Sequence, residues 1–156
     1  MPVNKVTTTI SQEDFNFIIE SFNNIKSKMS FLITLTTEEK KSLPKFGDKS
    51  IAFVKKAYEI ASKNQDFLPR NFDIDEMRKD VELYDQLFSI IQQFSQLMEK
   101  LEDTYREVGA EAYLASLIVY NTAKISGNDV GGLDSVMDEL GKRFARKLTK
   151  KEEPNS

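Results

Sequence analysis

Four carboxylates, Glu99, Asp103, Glu107 and Glu111, recur at steps of four, which on a helix sets them along one ridge. A carboxylate-bridged di-iron centre in a helical bundle is the chemistry such a ridge first suggests. That centre also needs Glu-x-x-His pairs from facing helices, and the sequence holds no histidine. It holds no cysteine either, which removes the usual zinc ligands, the thiol nucleophile and the Ser-His-Asp triad. Acid-base work would rest on Asp, Glu, Lys or Tyr alone, so the expectation is a non-enzymatic protein that uses no metal and no cofactor. The ridge then reads as a solvated acidic face softened by Lys100 and Arg106. Like charges four residues apart repel by about 0.2–0.5 kcal/mol per pair, which a basic partner surface would relieve.

Two further stretches bear on ligand binding. "PKFGDKS" sets Gly47 and Lys49 at a helix start, where backbone amides can hold an anion, but it lacks the GxxxxGK[ST] spacing of a phosphate loop. It reads better as a proline-ended turn followed by an Asp cap. "GNDVGGLD" lacks the alternating oxygen ligands and closing Glu of a calcium loop and reads as a connector.

The elements that position these residues are drawn by sparse punctuation: in 156 residues there are four prolines, at 2, 44, 69 and 154, and six glycines. Long helices are expected between them. Ser11 opens the first, with Glu13 and Asp14 in its first turn; Phe15, Ile18, Ile19, Phe22, Ile25, Met29 and Leu32 form its apolar stripe. Thr36 and Glu39 make a capping box for a short turn that stops before Pro44. Asp48 is the expected cap of the next helix, which carries Ile51, Phe53, Val54, Tyr58 and Ile60 and ends near Lys63 and Asn64. From Asp73 or Asp75 the apolar series keeps steps of three and four through Met77, Val81, Tyr84, Phe88, Ile91, Phe94, Met98, Leu101, Tyr105, Val108, Ala112, Ala115 and Val119. One long helix accounts for this phase, and fifty residues would reach about 75 Å. The rival arrangement breaks at Thr104, capped through Glu107, and folds back as a hairpin. A last helix is expected from about Val130 to Leu148. The fold class is therefore all-α, an elongated bundle of about four to five helices around one long, kinked or continuous helix. It forms a single domain over residues 11–148, with flexible termini at 1–10 and 149–156.

Composition sets the class of function. The chain is 40% hydrophobic and 30% charged, with 11 Phe and no Trp, which suits a folded domain better than disorder or a membrane protein. The apolar run "AYLASLIVYNTAK" has only twelve residues between Glu111 and Lys124, against the roughly 20 needed to cross a bilayer, so no transmembrane segment is expected. The N-terminus lacks the apolar core of a signal peptide and the chain lacks cysteine, so the expected location is the cytoplasm.

Two features remain as candidate interaction sites. Small residues along the long helix (Gly109, Ala112, Ser116) let another helix backbone come close, beside an aromatic stripe of Tyr105, Tyr113 and Tyr120. This is the candidate association seam, and intramolecular packing is its competing explanation. Helices of about 35 and 22 Å cannot cover a partner of about 75 Å, which favours a homo-oligomer or another protein partner. The second feature is the run "KRFARKLTKK", residues 142–151, with Lys142, Arg143, Arg146, Lys147, Lys150 and Lys151 and no acid, in a chain of net charge −3. It complements a helix C-terminus, and could make weak contact with a membrane surface or another anionic partner, including the acidic face of a second copy. The acidic remainder argues against a nucleic-acid binder. The alternative function is binding of an apolar small molecule among Phe22, Phe53, Phe88, Phe94 and the tyrosines.

The stretches "LTTEEKKSLPKFGDKSIAFVKKAYEIA", Leu35–Ala61, and "LEDTYREVGAEAYLASLIVYNTAK", Leu101–Lys124, resemble a family of short, all-helical bacterial proteins without an assigned activity. Together the two stretches make up 51 of the 156 residues. The likeness implies a bacterial origin and an all-helical fold, and it brings no catalytic residue, cofactor or ligand.

Overall fold

The computed structural model describes residues 3–126, 135 and 137–142. Among these the fold is all-α: α1 (Gln12–Lys28), α2 (Thr37–Ser42), α3 (Asp48–Lys63), a 3-10 turn (Gln65–Phe67) and α4 (Ile74–Ser126), with no strand. Ser135 and residues 137–142 are also helical. The helix expected from about Val130 to Leu148 otherwise lies outside the described residues.

The helix ends follow local chemistry. Ser11 Oγ accepts from the Asp14 amide at 3.0 Å, and Glu13 and Asp14 meet the positive end of the α1 dipole. The stripe expected to run on through Met29 and Leu32 is cut at Lys28, because Met29 leaves the helical region at φ −112° and ψ 38°. β-Branched Ile33, Thr34 and Thr36 follow, and they favour extended backbone. The capping box of α2 is closed in both directions: the Thr36 amide donates to Glu39 Oε2 at 2.7 Å, and the Glu39 amide donates to Thr36 Oγ1 at 3.2 Å. Leu43, ahead of Pro44, is extended and ends that helix. The cap of α3 is Gly47, one residue earlier than expected. Its carbonyl accepts from Ser50 and Ile51, and Asp48 instead stands in the first turn, where its charge meets the dipole. Asp73 caps α4 by accepting from the amides of Asp75 and Glu76 at 3.0 and 3.1 Å.

No hairpin forms at Thr104. Its hydroxyl donates to the Lys100 carbonyl at 2.7 Å, one helical turn back, so it satisfies the continuing helix and does not cap a new one. The unbroken apolar phase and the lack of any Gly or Pro between Pro69 and Gly109 make this the cheaper course.

Chain contacts divide the molecule into two compact units, Thr9–Met98 and Met1–Thr8 with Glu99–Ser156. In the first unit α3 lies against the early turns of α4. The rings of Phe46 and Tyr84 meet edge to face at 4.9 Å, Lys55 pairs with Asp85 at 2.9 Å, and the segment after α3 brings Phe67, Leu68 and Phe72 beside Ala57, Ile60 and Ala61. Further along α4, Ile90 and Phe94 line a groove with Ile25 of α1 and Met29 just past its end. Ala61, at 4% exposure, is the one buried apolar residue among those described. In the second unit, the amides of Lys5 and Val6 near the N-terminus donate to Glu111 in the later turns of α4.

Candidate interaction surface

At 100° per residue, the six seam residues share one face of α4. Gly109 is open: a Cβ placed there would meet nothing within 4 Å. Tyr105 stands 79% exposed, and the Ser116 hydroxyl turns back to the Ala112 carbonyl at 2.7 Å, leaving a small, internally satisfied surface. Tyr113 is exposed, whereas Tyr120 is half-buried, with its hydroxyl 4.0 Å from where a Cβ on Gly141 would lie. The seam is thus open around Tyr105, Gly109 and Ser116, and at Tyr120 it is approached by the chain's own helical residues 137–142.

Beside the seam runs an apolar stripe of Leu101, Tyr105, Val108, Ala112, Ala115 and Val119, spaced three and four apart. It is exposed along its length, Val108 by 44% and Val119 by 65%. Beside its middle lies the N-terminal segment: Asn4 and Val6 border a groove of about 230 Å³ whose other wall is Val108, Glu111, Ala112, Ala115 and Ile118. The amides of Lys5 and Val6 both donate to Glu111 Oε1, the latter at 3.4 Å, and Lys5 Nζ lies 3.5 Å from Glu107.

These contacts change the reading of the acidic ridge. Arg106 lies 3.6 Å from Asp103 and 3.5 Å from Glu102, while Glu107 and Glu111 face donors from the chain's own N-terminus. The basic surface that would relieve the ridge is therefore partly internal. Residues 1–10 read from sequence as a flexible terminus; the underneutralised ridge was the signal that a donor had to come from elsewhere, but two of the donors are main-chain amides, which no composition marks. Among the described residues no group of three or more His, Cys, Asp or Glu is placed to hold a metal ion.

The other candidate sites are treated unevenly. Lys142 is exposed, and Arg143, Arg146, Lys147, Lys150 and Lys151 lie outside the described residues. Of the phenylalanines expected to share a pocket, Phe94 lines a groove of about 460 Å³ with Ile25, Met29 and Ile90, while Phe53 and Phe88 are 74% and 50% exposed. A separate groove of about 340 Å³ lies between Phe46, Ile51, Val54, Met77, Val81 and Tyr84, with Lys55 and Asp80 beside it. The run "AYLASLIVYNTAK" is part of α4, and no helix among the described residues is long and apolar enough to cross a membrane. On the solvent face of α3, hydrogen bonds from Lys63 and Lys56 hold the Glu59 carboxyl at about 2, well below the ordinary 4.5.

No family model, curated protein or solved structure matches the chain.

Proposed function

We propose that this protein is a non-enzymatic interaction module that self-associates along the later turns of α4. The observation that carries the reading is an apolar stripe whose ends, with Tyr105 between them, stay in water, beside a glycine with no neighbour, in a chain with one buried apolar residue among those described. Contiguous exposed apolar surface on this scale marks an interaction site, and a helix face with small residues accepts another helix closely. A second copy supplies a self-complementary surface without a further assumption. The basic residues from Lys142 to Lys151 would then meet an acidic patch of a neighbouring copy or another anionic surface.

The test is absolute mass by light scattering across about a hundredfold range of concentration, for the native chain and for Tyr105→Asp. Self-association predicts a multiple of 17.9 kDa that falls toward the single-chain mass in the variant, with little change in stability because Tyr105 is exposed in the single chain. A single-chain mass throughout would end the reading.

A second reading, binding of an apolar small molecule, is favoured by the groove between α3 and α4, whose roughly 340 Å³ lies at the lower end of ligand-site volumes. Saturable binding of an apolar dye that is lost in Val81→Asp would support it; binding unaffected by that change would remove it.

A further inference from the structure

We infer that the N-terminal segment around Lys5 and Val6 is an autoinhibitory strap that competes with a second copy for the apolar stripe of α4. The inference rests on the self-association reading and adds its control. Three of the six stripe residues, Val108, Ala112 and Ala115, line the groove that Asn4 and Val6 border from the other side. A partner helix approaches to about 8–10 Å between axes and needs a continuous stripe. It cannot follow this one from Leu101 to Val119 while the strap stands beside Ala112, tied to Glu111. Ala112 belongs to both the strap groove and the seam, so the two occupants overlap at a named residue.

The fastening is polar and lies at the surface. Two main-chain amides converge on one carboxylate oxygen of Glu111, and Lys5 adds a long contact to Glu107 with its side chain 76% exposed. Charge-assisted bonds from main-chain amides give the strap a defined register. Their exposure keeps it releasable, since exposed ion pairs hold weakly and are screened by salt. Val6 sets an apolar side chain at the edge of the groove that Ala112 and Ala115 line.

Two full-length variants release the strap by different routes. Glu111→Lys removes the acceptor and sets a cation opposite Lys5; Val6→Asp places a charge in the apolar groove and leaves every helix unchanged. Mass measured against concentration should show both variants associating at concentrations at least about fivefold lower than the native chain, the usual lower range of coupling between competing occupants. Amide exchange supplies a readout independent of association: the Lys5 and Val6 amides should exchange more slowly in the native chain at low concentration than in Glu111→Lys. Equal exchange in the two would mean no fastened strap and would overturn the inference. Association of all three proteins at the same concentrations, or of the variants only at higher ones, would overturn it and leave self-association standing. Single-chain mass for all three would overturn both.

Discussion

The same helix is covered in two different ways along its length. In its first turns α4 meets α3 side chain to side chain, with Phe46 on Tyr84 and Lys55 on Asp85, and Ala61 is buried nearby at 4% exposure. Beside its later turns, among the described residues, lies a segment without regular secondary structure, fastened mainly through main-chain amides to Glu111. Large side chains interlock and exclude water, which is where packing stabilises a fold; small ones admit a backbone but bury little area. The early turns of α4 are thus built to stay together, and the later turns to exchange what lies on them.

Breaking the early arrangement should cost most. Ala61→Asp sets a carboxylate at a position only 4% exposed, and should lower unfolding free energy by about 1–3 kcal/mol in a denaturant titration. No loss would mean that the α3 side is as open as the later turns, and the contrast would fail. Gly109→Ala should act in the opposite direction on the isolated chain, raising stability by about 0.5–1 kcal/mol, because the methyl enters open space and the helix loses a glycine. If a second copy lies against Gly109, the same methyl weakens association, so a gain in stability with unchanged association would exclude that residue from the seam. The smallest effect is expected at Glu59. Its carboxyl ionises at about 2 in the folded chain and near 4.5 when unfolded, so its stabilising contribution is fully present above about 4.5 and disappears as pH falls through 2. Glu59→Gln should therefore lower stability slightly at neutral pH and leave it unchanged in strong acid. A carboxyl titration midpoint near 4.5 by NMR would show that the two lysines do not hold it.

Much of the local structure could be read without coordinates. The Ser11 cap, the Thr36 and Glu39 box, the stop before Pro44 and the end of α3 near Lys63 and Asn64 depend on atoms within a few residues of one another. The continuity of α4 past Thr104 was legible for a related reason: a phase kept over thirteen apolar positions, without a breaker, has one economical solution. The Asp48 cap was placed one residue late, since Gly47 and Asp48 are both acceptable at that position and the choice turns on backbone geometry. The proposed phenylalanine pocket illustrates a different limit, because spacing puts a residue on a face without specifying what that face meets; Phe53 and Phe88 meet mostly water.

The sequence by itself determined that the chain is helical, where most helices begin and end, and that histidine and cysteine chemistry is closed to it. The tertiary structure decided which carboxylates of the acidic ridge receive the N-terminus, and that half of the apolar stripe borders a strap while Tyr105 and Val119 remain in water. The physical reason is range. Capping and helical phase act over three or four residues and are written in neighbouring letters, whereas the bonds from Lys5 and Val6 to Glu111 span more than a hundred residues and use main-chain donors that every residue except proline carries.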